Sequence, residues 1–168
     1  SQIALAGAEF ELIDMEKREL ILKNALAEIS DDYDYIFIDC PPSLGILSIN
    51  ALAASSGVII PMQCEFYSLE GLSQLMLSIR NVKRLYNPCL EITGILITMY
   101  NGRLNLSAQV LEEIKKYYAD KLFATGIVRN VKLSEAPSYG EPIIYYDKYS
   151  KGARAYNDVA KEILERTL

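Results

Sequence analysis

A single carboxylate, that of Asp39, follows four apolar residues and precedes a proline-rich turn. Tyr35 to Ile38 have the composition of a strand buried on both faces of a parallel sheet, so the sequence predicts that Asp39 ends this strand. A carboxylate there accepts hydrogen bonds from the water shell of Mg²⁺, an ion that keeps several waters and needs few protein oxygens. Alternatively, Asp39 only caps a turn before Pro41, because a plain loop tolerates prolines equally well.

Three later segments carry residues suited to binding. Thr98 to Arg103 joins apolar and aromatic side chains, which could flank a purine, to a guanidinium that faces solvent or phosphate. The alternative is a loop whose tyrosine packs on the core. The polar segment from Val128 to Ser138 has two bases close together. Residues 145–156 interleave tyrosines with cations, which serves single-stranded nucleic-acid binding but also arises when tyrosines alternate between core and surface.

Composition excludes several classes of function. The chain contains no His, which removes the usual general base, the Ser-His-Asp arrangement and the commonest metal ligand. Cys40, Cys64 and Cys89 form no Cys-x-x-Cys pair and are expected to be small buried residues, reduced in a cytosolic compartment. No apolar run approaches the roughly 20 residues of a membrane span, so the sequence predicts a soluble protein.

The charge distribution is uneven along the chain. The net charge is −5, and residues 1–40 alone carry ten acidic and three basic side chains. This balance excludes a uniformly basic nucleic-acid binder but allows a basic patch on the later part of the chain.

Apolar spacing predicts alternating strands and helices. The predicted strands are Tyr35–Asp39, Gly57–Pro61 and Ile92–Thr98, with shorter candidates at Thr125–Val128 and Pro142–Tyr146. The predicted helices cover Lys17–Ile29, Leu72–Tyr86, a segment after Asn105 that turns Tyr117 inward and pairs Glu112 with Lys116, and Tyr156–Leu164. This order predicts a single α/β domain over residues 1–168, with a mostly parallel sheet and a ligand site beyond the C-terminal strand ends.

One expected partner of Asp39 is missing from the sequence. None of the nine glycines is followed by Lys, so the phosphate-binding signature Gly-x-x-x-x-Gly-Lys-Ser/Thr cannot be placed at any position. A site of this shape normally faces a magnesium-bound nucleotide, and here its other wall is absent.

Four strings in the same order make the chain similar to the C-terminal two-thirds of ParA/Soj-type chromosome-partitioning ATPases, which belong to the MinD/ParA superfamily with a deviant Walker A motif. The strings are Ile3–Glu9, Asp34–Gly45, Gln63–Leu72 and Arg129–Ser138. The resemblance implies a partial P-loop NTPase-like (Rossmann-like) layered α/β fold that lacks the N-terminal P-loop strand.

The same resemblance implies roles for particular residues. Asp39 corresponds to the Walker B aspartate, a catalytic carboxylate that holds Mg²⁺ through water, and Pro41 and Pro42 belong to the switch II turn. The other implied nucleotide-binding positions are Glu65, Met99, Tyr100, Val128, Arg129 and Asn130, with Val128 standing where relatives usually have Pro. Arg103 and Lys132 match positions that bind DNA non-specifically, and Lys at the second replaces an Arg.

The implied parent protein hydrolyses ATP with Mg²⁺, forms a homodimer on binding ATP and attaches non-specifically to double-stranded DNA. It is stimulated by a ParB/Spo0J-like partner, acts in chromosome or plasmid partitioning and sporulation regulation, and is cytoplasmic and nucleoid-associated in bacteria. Because the P-loop of this family precedes the segment matching Ile3, we expect the 168-residue chain alone to be inactive and to bind no ATP tightly. The alternatives are a non-catalytic DNA- or protein-binding adaptor and a MinD-like membrane-associated ATPase. The latter needs a basic amphipathic tail, whereas the last helix carries mixed charge.

The resemblance also predicts a gap in the sheet. In this ATPase class the P-loop strand lies between the Walker B strand and the next one, so two buried edges would lack a neighbour. We expect either that Tyr35–Asp39 pairs directly with Gly57–Pro61, or that a missing fragment or a second copy fills the gap.

Overall fold

The computed structural model describes residues 4–41, 43 and 45–167. Within these ranges the helices are α1 (Ala4–Leu12), α2 (Ile21–Ala27), α3 (Ile46–Ala54), α4 (Phe66–Leu85), α5 (Asn105–Tyr118), α6 (Val131–Glu135), α7 (Ile143–Tyr146) and α8 (Lys151–Thr167). The strands are β1 (Gly57–Gln63) and β2 (Glu91–Thr98), and short 3₁₀ helices cover Arg18–Leu20, Ser30–Asp32 and Ala136–Tyr139. None of the helices described is both long and apolar enough to cross a membrane.

The described residues fall into two compact units. The first consists of the residues up to Val58 together with Ser73–Glu91, and the second consists of Ile59–Leu72 together with the residues from Ile92 onward.

The predicted strand, helix and strand between Gly57 and Thr98 are confirmed. β1 and β2 are hydrogen-bonded neighbours in a parallel sheet, and α4 connects them. β2 buries Ile95, Leu96 and Ile97 in succession, which fits a strand with both faces covered. The C-terminal ends of β1 and β2 lie at one edge of the sheet, so the residues that follow them are brought to the same side.

A segment after α5 lies alongside β2. Ile95 accepts a backbone hydrogen bond from Phe123 at 3.0 Å and donates one to Lys121 at 2.7 Å, and Ile127 donates to Ile97 at 2.8 Å. The pairing is parallel, but it consists of isolated bridges, so the strand predicted at Thr125–Val128 forms only in part. The reason lies in the intervening amides, because those of Ala124 and Thr125 donate to the side-chain carboxylate of Glu162 at 2.9 and 3.3 Å.

Glu162 and Arg166, near the end of α8, form a clamp that holds this segment against β2. The Arg166 guanidinium donates to the carbonyl oxygens of Thr93 at 2.9 Å, Lys121 at 3.3 Å and Leu122 at 2.7 Å, and to the Glu162 carboxylate at 2.8 Å. It also lies 4.3 Å from the centroid of the Phe123 ring, a cation–π distance. One hydrophobic cluster of the second unit consists of Leu96, Phe123, Ile127 and Val159, and it includes the ring that Arg166 contacts.

Buried amide side chains hold the first unit together. Asn50 is 3% exposed; its amide donates to the carbonyls of Arg18 and Ile46, and its oxygen accepts from the backbone of Leu22 at 3.1 Å. One of the first N–H groups of α2, that of Leu22, is therefore satisfied by a side chain of α3. The helix predicted at Lys17–Ile29 is shorter than expected because Lys17 adopts a left-handed conformation, with φ 53°.

The prediction of a buried strand at Tyr35–Asp39 is wrong. These residues form no regular secondary structure, and Ile36 and Phe37 are 40% and 73% exposed. The rings of Tyr35 and Phe37 stack at 6.2 Å, which fits two residues on one side of an extended backbone. A strand forms when its backbone groups pair with a neighbour, and in the described chain the sheet contains only β1 and β2, so direct pairing of Tyr35–Asp39 with β1 is wrong too.

The strand predicted at Pro142–Tyr146 is also wrong, because these residues form α7. Gly140 takes a left-handed turn with φ 68°, and the backbone amides of Tyr145 and Tyr146 both donate to the carbonyl of Pro142. Proline tolerates the start of a helix, where no partner for its missing N–H is needed.

Smaller expectations about side chains need correction. Tyr117 is 72% exposed and does not face the core. The ion pairs on α5 join Glu112 to Lys115 and Glu113 to Lys116, in place of Glu112 to Lys116. Of the three cysteines, Cys64 is buried as predicted, whereas Cys40 and Cys89 are exposed.

Gly94 on β2 has a packing requirement that can be tested. A Cβ atom at this position would lie 2.4 Å from the Phe123 ring and 2.8 Å from the Arg166 guanidinium, both of which are fixed by the contacts above. We expect Gly94→Ala to lower the free energy of unfolding by about 1–3 kcal/mol through overpacking, measured by urea denaturation.

The matched control is Gly71→Ala on α4, where an added Cβ would meet nothing within 4 Å. This change should raise the free energy of unfolding by about 0.5–1 kcal/mol, because alanine favours helix over glycine. Equal effects of the two changes would contradict the clamp's role in excluding a side chain at Gly94.

Candidate functional site

The first unit contains the carboxylate singled out by the sequence. Asp39 and Pro41 are both exposed in the extended segment before α3. Next to them, the Ser48 hydroxyl on α3 donates to the carbonyl of Ser43 and ties the turn to the helix. Pro42, the other predicted switch residue, lies outside the described residues. An exposed carboxylate beside a fixed turn is accessible to a hydrated cation.

The second unit brings together two of the predicted nucleotide-binding loops. Tyr100 lies directly after β2 and forms a parallel bridge with Val128, and its backbone N–H donates to Ile127 at 3.0 Å. Met99, between β2 and this bridge, is in the left-handed region with φ 51° and is 58% exposed. A residue other than glycine held at positive φ is uncommon and is most often found at binding loops or turns.

Asn130 has a defined structural task at the end of the second loop. Its side-chain oxygen accepts a hydrogen bond from the backbone of Lys132 at 2.8 Å, so Asn130 is the N-cap of α6. The loop therefore begins at Val128, which is bridged to Tyr100, and ends at the capped start of α6. The side chains of Val128 and Arg129 within it are exposed.

Lys132 on α6 belongs to a small charged network. Its ammonium lies 2.8 Å from the Glu135 carboxylate and 5.6 Å from the centroid of the Tyr146 ring, and the same Glu135 oxygen accepts from the Tyr146 hydroxyl at 2.9 Å. Hydrogen bonds from Lys132 and Tyr146 lower the pKa of Glu135, and the bond to Glu135 raises the pKa of Lys132. Sequence reasoning missed Glu135 and Tyr146. Their signal was the three-residue spacing of Lys132 and Glu135, which has meaning only once α6 is known to be a helix.

The remaining predicted residues lie at loop positions of the second unit. Glu65 is exposed immediately before α4, and the burial of Cys64 together with this carboxylate raises the pKa of the Cys64 thiol. Arg103 is exposed in the loop after β2, where its backbone N–H donates to the side chain of Asn101 at 3.1 Å.

The described residues offer more groups suited to the base of a nucleotide than groups suited to its phosphates. The loops around Tyr100 and Val128 offer exposed apolar surface and backbone groups, which suit an adenine base. Asp39 suits the hydration shell of Mg²⁺, whereas the sequence contains no Gly-Lys loop to cradle phosphates. In the parts of the chain that the structure describes, no three acidic or cysteine side chains cluster closely enough to bind a metal directly.

Comparison with known proteins identifies the family. The family model described as an AAA domain matches residues 1–92, more than half of the chain. The sporulation initiation inhibitor protein Soj of Bacillus subtilis is 58% identical over 161 residues, which cover 96% of this chain and 64% of Soj. The chain belongs to the AAA domain family and is of the ParA/Soj type. The chromosome partitioning protein ParA of Myxococcus xanthus is 51% identical over 96% of this chain and 57% of its own length. The chain thus spans about three fifths of the length of these curated relatives.

Solved structures confirm the fold of this AAA domain chain. The cobyrinic acid a,c-diamide synthase of Mycobacterium smegmatis, solved with bound ADP and magnesium, is 37% identical and has a TM-score of 0.79 over 98% of this chain and 60% of that protein. The predicted α/β fold with a parallel sheet, similar to P-loop NTPases, is therefore confirmed.

The cap of α6 provides a test of how the second loop is held. We expect Asn130→Ala to lower the free energy of unfolding by about 0.5–2 kcal/mol, because the backbone N–H of Lys132 loses its acceptor. Asn130→Asp, which keeps a capping oxygen, should retain most of the stability in the same urea titration. A further control is Asn157→Ala on the exposed side of α8, which should not destabilise the chain. Loss of stability in Asn130→Asp equal to that in Asn130→Ala would contradict the capping role.

Proposed function

We propose that this chain is part of a partition ATPase of the ParA/Soj type. In the whole protein, ATP with Mg²⁺ drives dimerisation and non-specific attachment to double-stranded DNA, and a ParB/Spo0J-like protein stimulates hydrolysis. The protein acts on chromosomes or plasmids at the nucleoid in the bacterial cytoplasm. Asp39 serves the hydrated Mg²⁺, with Pro41 and Pro42 in the switch that senses the nucleotide.

The observation that carries this proposal is the 58% identity to Soj across 96% of the chain. The match spans 161 of the 168 residues, so the Asp39 segment, the loops after β1 and β2 and the α6 region all lie within it. The name of the Myxococcus relative, a chromosome partitioning protein, supports the same process.

Local geometry supports the assignment of the base-binding loops. The bridge between Tyr100 and Val128 fixes two chain segments side by side just beyond β2, so that the exposed Met99 and Val128 side chains are presented in one place with nearby backbone groups. Met99, Arg129 and Asn130 flank this bridge in sequence. We assign the adenine end of the site to these loops, with Glu65 on the ribose side across the dimer.

The first test concerns hydrolysis by the 168-residue chain. We expect phosphate release from Mg-ATP to equal that of the buffer, because no backbone cradle or Gly-Lys loop stabilises the transferred phosphoryl group. Tight ATP binding should likewise be absent in calorimetry. Turnover above the blank that disappears in Asp39→Ala would refute this expectation.

The second test concerns attachment to DNA. We expect the chain to bind duplex DNA of arbitrary sequence in a salt-dependent manner, and Arg103→Ala with Lys132→Ala to weaken this binding. The slope of log affinity against log salt should become shallower by about two, one for each lost phosphate contact.

The chain offers a well-matched control for this measurement. Lys115 on α5 pairs with Glu112 at 2.9 Å and is 47% exposed, almost the values of Lys132 with Glu135, which are 2.8 Å and 46%. The control double variant combines Lys115→Ala with Arg80→Ala on α4, so it also loses two positive charges. If both double variants lose affinity equally, attachment depends on overall charge, and Arg103 and Lys132 have no special role. If the wild-type chain binds no DNA at any salt concentration, the attachment proposal is wrong for this chain.

A further inference from the structure

We propose that Glu135 restrains Lys132, so that DNA phosphates must compete with the Glu135 carboxylate for the lysine ammonium. This inference rests on the proposed function and names a residue that regulates the same DNA-binding position. Glu135 is thereby assigned as a positioning residue that limits the strength of DNA attachment.

The geometry around Glu135 distinguishes it from an ordinary surface carboxylate. One of its oxygens, Oε2, accepts from both the Lys132 ammonium at 2.8 Å and the Tyr146 hydroxyl at 2.9 Å. Tyr146 is itself held, because its ring stacks on that of Tyr139 with centroids 5.1 Å apart. Exposed ion pairs are weak partly because ordering two long side chains costs entropy, and here a neutral phenol already orders the carboxylate.

The Glu112–Lys115 pair gives an internal reference. It has the same three-residue helical spacing and nearly the same distance, 2.9 Å, but its carboxylate side chain is 67% exposed against 38% for Glu135. The shift of Lys132 to a higher pKa, caused first by its hydrogen bond to Glu135, agrees with an ammonium whose charge is already engaged.

Lys132 lies on α6, a helix that is held in place. DNA phosphate and Glu135 therefore compete for its ammonium through side-chain movement and not through movement of the helix. Asn130 caps α6, and a Cβ atom at Gly152 would lie 2.6 Å from the Leu133 side chain, so α6 lies very close to the start of α8. α6 has little room to shift, and Lys132 and Glu135 stay together because both belong to this helix. A phosphate that reaches Lys132 therefore meets a second negative charge within ion-pair distance of the same ammonium.

The experiment measures binding of the 168-residue chain to a labelled duplex of random sequence by fluorescence anisotropy over a series of NaCl concentrations. Glu135→Gln keeps an acceptor for Tyr146 but removes the charge, and it should tighten binding about twofold to fivefold at low salt, the range for an exposed ion pair. Glu112→Gln removes the same charge from the reference pair and should change affinity by less than about 1.5-fold. In a Lys132→Ala background, the gain from Glu135→Gln should fall to that of Glu112→Gln.

A second variant tests the restraint without changing the net charge. Tyr146→Phe keeps the aromatic ring near Lys132 but removes the hydroxyl that orders Glu135, and it should tighten binding about 1.5-fold to threefold. Thermal unfolding of every variant checks the fold. If Glu135→Gln does not fold, Tyr146→Phe decides the question.

The possible results separate the restraint from the proposed function. If Lys132→Ala weakens binding more than Lys115→Ala but Glu135→Gln behaves like Glu112→Gln, Lys132 contacts DNA and the restraint is wrong. If Lys132→Ala and Lys115→Ala bind alike, both the DNA role of Lys132 and its restraint are wrong. If neither the wild-type chain nor any variant binds, Glu135→Gln included, both proposals are overturned.

Discussion

The paired side chains of Glu162 and Arg166 are the interaction on which the second unit depends. From adjacent turns of α8 they contact the backbone of two other segments, with Arg166 on the carbonyls of Thr93, Lys121 and Leu122 and Glu162 on the amides of Ala124 and Thr125. Both side chains are partly buried, with exposures of 15% for Glu162 and 23% for Arg166. A buried ion pair is favourable only when its remaining donors and acceptors are satisfied, and here backbone groups satisfy them.

This clamp determines where the candidate binding loops lie. By holding residues 121–125 against β2, it sets the register in which Ile127 bonds to Ile97 and Val128 bridges to Tyr100. The loop after Val128 then enters α6 through the Asn130 cap, and α6 carries Lys132. The proposed adenine-binding loops and the proposed DNA-binding lysine are thus connected to one fixed pairing.

Sequence reasoning succeeded where local pattern and tertiary structure agree. The runs at Gly57–Pro61 and Ile92–Thr98 are mostly apolar and contain no charged residue, and both are strands. Tyr35–Asp39 has the same pattern, yet it is exposed and irregular, because strand formation depends on a paired neighbour and composition alone does not supply one. α6 has five residues, too few to show a repeating helical pattern in the sequence, so the ion pair between Lys132 and Glu135 was not predictable. The residues proposed to bind nucleotide and DNA remain predictions.

The proposed contacts to base, phosphate and DNA depend on different kinds of groups within these 168 residues. The loops at the end of β2 hold their positions through backbone bonds, which depend on the fold and not on side-chain identity. Phosphate chemistry differs, because it requires a glycine-rich backbone cradle and a lysine that the sequence does not contain. DNA attachment requires neither, since exposed cations on a rigid support are sufficient for phosphate contacts. Base contact and DNA contact are therefore the two proposed roles that do not depend on a phosphate-binding loop.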